Sequence, residues 1–433
     1  MKSLYKWGAA CILCGAMASF TAPVFAQEAA PAVAPAEESK TAGFLKSVEI
    51  GGFVDTFYKY NYNKNFSSSF RGTTPGFTPI GRGTDVTAFD REHNSFTLDN
   101  VEISIFKAST EKDPIGFGFT TNYGEIAQRL TFVNSQGRGD GLTGSQDFTI
   151  SQGFVTYKAP VGKGIDFKVG KFATWIGAEL WESVDNPNYS RSLLYQNAIP
   201  FTNTGISAAY PVTDKLTVTG FLVNGWDTFV DNNNGKTGGY QFAYKFTENT
   251  SLILNGSHGP EQPKNTAPAF VAAEGKDPGD NLRHFWDVIF AFKPLEKTTV
   301  NLNVDFGTEA HASGLAGGNN FGTGSTLAST LSLAPGFSSI SNGKWWGGSA
   351  IVSRDITDSI GVALRGEYFD DNDGARIGVR SLRIWETTFT TNIKIRQNLY
   401  VRPEVRYDKA NKDIFGTSTS GNLSTLIAFS YLF

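Results

Sequence analysis

From residue 48 to the C-terminus, apolar and polar residues alternate with a period of two. In one stretch, Val300, Leu302 and Val304 alternate with Asn301 and Asn303. This period places the apolar side chains on one face of a β-strand, and it predicts an all-β chain with about 16 strands, within a range of roughly 14–18. The predicted strands start near Val48, Ser95, Pro114, Phe148, Gly164, Thr204, Lys215, Gly239, Thr250, Leu282, Lys297, Lys344, Ser359, Ser381, Asn398 and Asn422.

The connections between these strands alternate between short and long. Short connections such as 111–113 and 160–162 contain the Pro, Asp and Gly residues of tight turns, whereas 63–94 and 308–343 are long and polar. An even strand number with this alternation is typical of a transmembrane β-barrel with short periplasmic turns and long external loops. Such a sheet must close, because an open edge would leave backbone groups unpaired in hydrocarbon. The sequence therefore predicts one closed antiparallel transmembrane β-barrel.

The alternation also predicts which side chains face lipid. A soluble β-sandwich would show the same period with its apolar face buried, but the apolar face here is rich in aromatic residues. Several tryptophans fall near the loop-side ends of strands, where an outer aromatic girdle is expected. These are Trp226, Trp286, Trp345, Trp346 and Trp385. We therefore expect the apolar face to contact outer-membrane lipid and the polar face to line a wet lumen.

The last strand carries a second membrane signal. Apolar or aromatic residues occupy every second position from Leu423 to the terminal Phe433, apart from Thr425. This pattern resembles the assembly signal of bacterial outer-membrane barrels. An ordinary buried C-terminal strand is the alternative. We expect the outer-membrane assembly machinery to recognise this strand.

The N-terminus has the features of an export signal. Lys2 and Lys6 precede an apolar stretch, and Ala26 ends a small-residue cleavage site, so residues 1–26 are predicted to be a signal peptide. Residues 27–47 form an Ala-, Pro- and Glu-rich linker by composition. Residues 48–433 are predicted to form the barrel. Both cysteines lie within the signal peptide, which excludes a disulfide-stabilised secreted domain.

Composition and motifs exclude several other functions. The chain has 433 residues, a net charge of -3 and only 18% charged residues, which argues against nucleic-acid binding. Its 4 histidines lie in no recognisable catalytic motif. The GxGxxG match at 139–144 lacks a strand–helix context, and 231–235 and 370–374 lack the ligand spacing of an EF-hand. We expect neither a cofactor nor a metal.

The third long connection, residues 172–202, combines apolar and charged residues without alternation. A loop exposed to water does not need so many apolar groups. We expect it to fold against the inner wall and narrow a channel, although an external loop is the alternative. The expected constriction residues are Glu179, Glu182, Asp185 and Arg191, and those of the facing wall are Arg365, Arg402, Glu404 and Arg406.

The same region resembles a known family. The segments 169–174, 177–179, 186–192 and 200–205, together with the first predicted strand at 52–61, are similar to the OmpL-like β-barrel porin-2 family. In that family His usually precedes the Thr-Gly pair, where this chain has Asn203. The resemblance implies a porin of the Gram-negative outer membrane.

Together these features predict a passive diffusion channel for small hydrophilic solutes or ions. The solute would move down its concentration gradient, selected by lumen width and charge. A homotrimer is compatible with a porin of this size. An adhesin or phage-receptor barrel acting through its long loops is an alternative, and a hydrolase at the outer rim is another.

Overall fold

The computed structural model describes residues 47–63, 87, 89–90, 92–135, 147–262, 264, 280–310, 342–377, 379–415 and 419–433. The predicted signal peptide, almost all of the predicted linker, the GxGxxG match and His311 lie outside these residues. Within the described chain, 16 antiparallel strands form one closed barrel. No described helix is both long and apolar enough to span a membrane.

Each strand pairs with its neighbours in sequence, and β1 pairs with β16 to close the sheet. The backbone N–H groups of Gly52 and Phe433 donate to each other's carbonyl oxygens at 3.0 and 2.9 Å, so the closing seam extends to the last residue. The strands are β1 Glu49–Asn61, β2 Ser95–Lys107, β3 Ile115–Tyr123, β4 Phe148–Ala159, β5 Ile165–Ala173, β6 Thr202–Pro211, β7 Leu216–Val223, β8 Thr237–Thr247, β9 Thr250–Pro260, β10 Leu282–Leu295, β11 Thr298–Ala310, β12 Asn342–Asp355, β13 Ile360–Asp371, β14 Leu382–Lys394, β15 Leu399–Ala410 and β16 Gly421–Leu432.

The strand number and the predicted alternation of faces are confirmed. Every predicted strand start lies within two residues of the observed one. On β11, Val304 and Phe306 are exposed on the outer surface, whereas Asp305 between them is fully buried inside. Successive side chains of a strand point to opposite faces, so a period of two in sequence becomes an apolar exterior and a polar interior.

The connection between β3 and β4 departs from the prediction of an all-β chain. It contains α1, Glu125–Ser135, which follows Gly124 at φ 121°. Ile126, Ala127 and Leu130 of this helix are completely buried. Three apolar residues over little more than one turn are a weak helical signal, and the packing of this face inside the barrel mouth stabilises the helix.

The prediction of an outer aromatic girdle is correct for three of its five tryptophans. Trp286, Trp346 and Trp385 are exposed on the outer surface. Trp226 and Trp345 are instead buried in the interior, where they belong to the main apolar cluster. Trp345 is the inward-facing neighbour of Trp346, so a shift of one position moves a side chain to the opposite face.

Candidate functional site

The connection between β5 and β6, residues 174–201, contacts inward-facing side chains of strands around most of the barrel. We call it the β5–β6 loop. It contains a 3₁₀ turn at Ser183–Asp185 and a π-helical turn at Leu194–Ala198. Its hydrogen bonds reach β1, β2, β8 and β10–β15. Nearly all of its residues are buried by these contacts.

Wall carboxylates hold the backbone of the β5–β6 loop. Glu367 on β13 accepts hydrogen bonds from the N–H groups of Leu193 and Leu194 at 2.6 and 3.2 Å. Glu404 on β15 accepts bonds from Tyr189 and Ser190 at 2.7 and 3.2 Å. The side-chain oxygens of these two acids therefore satisfy loop N–H groups that have no partner in a helix or sheet.

Wall arginines bind the loop carbonyl groups in the same way. Arg402 donates to the carbonyl oxygens of Ser183 and Asn186 at 2.5 and 2.7 Å. Arg406 donates to the carbonyl oxygen of Arg191 at 2.8 Å while it forms an ion pair with Asp408. The guanidinium group suits this role because it presents five N–H donors in a fixed plane.

Arg365 is the most connected of the wall residues. Its Nη1 lies 2.9 Å from Glu179 Oε1 and 2.6 Å from the carbonyl oxygen of Ser190. Its Nε lies 3.1 Å from Glu386 Oε2 on β14. All four wall residues expected from the sequence therefore contact the β5–β6 loop, and all four are buried.

The four loop residues expected at the constriction occupy two different environments. Glu179, Glu182 and Arg191 are buried, whereas Asp185 is half-buried. Burial raises the pKa of Glu182 well above its usual range, and the neighbouring acids Glu102 and Asp185 reinforce this shift. Unlike the other three residues, Asp185 keeps part of its surface exposed.

Arg191 has no exposed surface. Its guanidinium donates to the carbonyl oxygens of Trp181 and Tyr189, the latter at 3.1 Å. It also lies 3.9 Å from Asp99 Oδ2 and 5.1 Å from the centroid of the Phe89 ring. The Arg191 guanidinium therefore links the loop to Asp99 of β2 and to the buried Phe89 ring.

Apolar contacts hold the other part of the loop, and wall glycines make room for them. Trp175 stacks on Phe221 with ring centroids 3.9 Å apart. A Cβ atom at Gly239 on β8 would lie 2.3 Å from the Trp175 ring, a distance that no real Cβ contact shows. The absence of a side chain at Gly239 therefore allows the indole to lie against the wall.

Two open cavities lie at the end of the barrel that carries the short turns. One, of about 880 Å³, lies beneath the 185–187 part of the loop. Its charged lining residues are Asp185, Arg354, Asp355, Asp358, Lys394 and Arg402. The other, of about 950 Å³, is bounded by the ends of β7–β11. The first cavity presents three acids and three bases to water.

Sequence reasoning missed several interior residues of the same network. Arg283 on β10 forms a buried ion pair of 2.8 Å with Glu309 on β11. Asp287 accepts hydrogen bonds from Asn255 at 2.6 Å and from the N–H of Gly177 at 3.2 Å. Arg283 and Asp287 alternate with His284 and Trp286, so strict period-two reading of β10 would have identified both.

The turns at 231–235 and 370–374, which were compared above with calcium-binding loops, bind groups of the protein itself. The Asp231 carboxylate binds the Lys236 ammonium group and the N–H groups of Asn233 and Asn234. Asp371 accepts the N–H groups of Arg376 and Ile377. Among the described residues, no group of three or more His, Cys, Asp or Glu residues has a metal-binding arrangement.

Comparison with solved structures supports the architecture. The chain is similar to OmpF of Salmonella typhi, in a complex with daunomycin (TM-score 0.53, 11% identity, 89% of this chain and 97% of that chain covered). It is also similar to an anion-selective porin from Comamonas acidovorans (TM-score 0.51, 11% identity, 89% and 99% covered). OmpT of Vibrio cholerae in its trimer form gives a TM-score of 0.51 at 11% identity, with 89% and 99% covered. No curated protein matches the sequence.

A closed 16-stranded barrel with an apolar exterior and a charged interior that contains a loop is the fold of outer-membrane porins. The family model described as "Putative beta-barrel porin-2, OmpL-like" matches residues 47–433. The chain therefore belongs to this porin family, and the resemblance seen in the sequence is confirmed.

Proposed function

We propose that this porin is a passive diffusion channel for small hydrophilic solutes and ions in a Gram-negative outer membrane, with the β5–β6 loop as its constriction. It carries out no chemical reaction and uses the concentration gradient of the solute. The half-buried carboxylate of Asp185, at the edge of an open cavity, is the observation that carries this proposal.

We assign different roles to the residues of the network. Glu179, Glu182 and Arg191, together with the wall residues, position the loop, because their side chains are buried or directed at its backbone. Asp185 lines the route of the solute, where Arg354, Lys394 and Arg402 face the same cavity. Opposite charges across a narrow aqueous passage orient dipolar solutes and set ion preference.

Single-channel recording in planar bilayers tests this assignment. Asp185→Asn removes one negative charge with little change of volume and should shift the reversal potential in a KCl gradient toward anion permeability. Glu111→Gln, an exposed acid in the β2–β3 turn, is the matched control and should leave the reversal potential unchanged. Equal reversal potentials for wild type and Asp185→Asn would contradict the placement of Asp185, and absence of stepwise currents would contradict the channel.

We further propose that the chain assembles as a homotrimer, as the description of the Vibrio cholerae OmpT structure states for that protein. Chemical cross-linking in detergent, followed by electrophoresis without heating, tests this proposal. A ladder that ends at three chains is expected. A species that remains a monomer across detergents would contradict it.

A further inference from the structure

Two histidines lie opposite each other near the loop-side end of the barrel. His258 on β9 pairs in register with His284 on β10. Their Nδ1 atoms are 3.1 Å apart.

Both imidazole rings face the outer surface. His284 has the same parity as Trp286, which is exposed, whereas Phe285 between them is completely buried. His258 alternates in the same way with the buried Ser257. Both histidines lie closer to the loop end of their strands than Trp286. This places the pair at the boundary between the lipid and the external water.

The separation of the two nitrogens suits a shared metal ion. Zinc–nitrogen bonds are about 2.0–2.1 Å long, so two nitrogens bound to one ion are separated by about 2.9 Å at a right angle and about 3.4 Å at a tetrahedral angle. The observed 3.1 Å lies between these values. The same distance also allows an N–H···N hydrogen bond, which is the contact of the pair without metal.

The surroundings limit the type of ion. The rings of Trp286 and Tyr240 lie 5.3 and 5.8 Å from the His258 ring, and they supply no carboxylate. Imidazole nitrogen suits borderline ions such as Zn²⁺, Ni²⁺ and Cu²⁺, whereas Ca²⁺ and Mg²⁺ require oxygen ligands. Two protein ligands leave the remaining positions of the ion to water.

We propose that His258 and His284 form a two-histidine site for a divalent transition-metal ion, with Zn²⁺ as the representative, that joins β9 to β10 on the outer surface. The site does not use the lumen, so it is independent of the proposed channel.

Titration of the refolded full chain in detergent with ZnCl₂, followed by calorimetry, tests the site. One Zn²⁺ per chain is expected, and His258→Gln and His284→Gln should each weaken binding by about tenfold or more. His93→Asn is the control, because this histidine accepts a hydrogen bond from the N–H of Asn61 elsewhere in the barrel. Cu²⁺ bound to wild type should give an electron paramagnetic resonance spectrum of two nitrogen ligands.

Channel conductance and the mobility shift on heating show whether each variant has folded. Zn²⁺ binding that persists in His258→Gln and His284→Gln would assign the metal to other groups and overturn the site. The absence of binding to wild type at millimolar ZnCl₂ would also overturn it, and the pair would then make only a hydrogen bond.

Discussion

Glu179 of the β5–β6 loop and Arg365 of β13 form a fully enclosed ion pair, with Oε1 and Nη1 2.9 Å apart. The same arginine binds Glu386 on β14, so one guanidinium joins the loop to two strands of the wall. A buried charge pair is costly to break, because the remaining partner keeps its desolvation penalty without its counter-charge. The position of the loop therefore depends on this contact.

Arg365→Met should strongly destabilise the barrel. The substitution keeps a side chain of comparable length but leaves Glu179 and Glu386 without this cation, so we expect a loss of about 3–5 kcal/mol in the free energy of unfolding. Urea unfolding followed by tryptophan fluorescence measures this loss. Arg396→Met, at an exposed position in the β14–β15 turn, should change the free energy of unfolding little. Equal stability of the two variants would contradict the anchoring role.

Arg191→Glu should reduce the yield of folded protein rather than produce a channel with altered selectivity. The new carboxylate would be completely buried and would lie near Asp99, which is now 3.9 Å from the guanidinium. Two enclosed like charges repel each other in a medium of low dielectric constant. The fraction of heat-modifiable protein after refolding measures the effect. A well-folded variant with a changed reversal potential would show that Arg191 faces the pore.

Gly307→Ala should destabilise the barrel by about 1–3 kcal/mol through overpacking. Its new Cβ atom would lie 2.1 Å from the ring of Trp345, so the indole or the strand must move. Gly366→Ala is the matched control, since its Cβ atom would meet nothing within 4 Å. The difference in the free energy of unfolding between the two variants isolates the contact with the tryptophan. No difference would contradict this packing.

Asp227, in the β7–β8 connection, should make stability depend on pH. Burial raises its pKa from 3.8 to about 6, and its bonds to the N–H groups of Thr202 and Phe201 oppose the shift. Because the folded protein holds this proton more tightly, the contribution to stability is complete below pH 3.8 and is lost as the pH rises through about 6. A shift of this size corresponds to about 3 kcal/mol at most.

Asp227→Asn should remove this dependence. The amide oxygen can still accept both backbone hydrogen bonds, which are now 2.8 Å long, without the cost of a buried charge. Urea unfolding at pH 4 and at pH 7 gives the comparison. Asp214→Asn, at a fully exposed side chain, should keep the wild-type pH profile. A wild-type profile in Asp227→Asn would contradict the assignment.

Deletion of Phe433 should reduce assembly into the outer membrane. The deletion removes the last two hydrogen bonds of the β1–β16 seam, and it removes the ring that lies against Gly52. Heat-modifiable protein in the outer-membrane fraction measures assembly. Phe429→Leu keeps an apolar side chain at an outward position of the same strand and should assemble normally. Normal assembly of the deletion variant would contradict a role for the terminal residue.

The strands, their order and most of their faces follow from the local pattern of apolar and polar residues. A period of two is a local property, so β11 could be recognised from Val300 to Phe306 without knowledge of its neighbours. The alternation alone could not show which face each residue occupies at the ends of strands. Trp345 and Trp346 are adjacent and equally apolar, and only the pairing of β12 with β11 and β13 shows that Trp345 points inward.

The contacts of the β5–β6 loop, in contrast, depend on the folded barrel. Glu179 and Arg365 are 186 positions apart in sequence, and no local pattern connects them. The sequence indicated that Glu179, Asp185 and Arg191 share a loop. Closure of the barrel decided that Glu179 and Arg191 are buried and that Asp185 keeps contact with water. Strand formation depends on neighbours along the chain, whereas burial of a charge depends on partners that only closure of the barrel brings together.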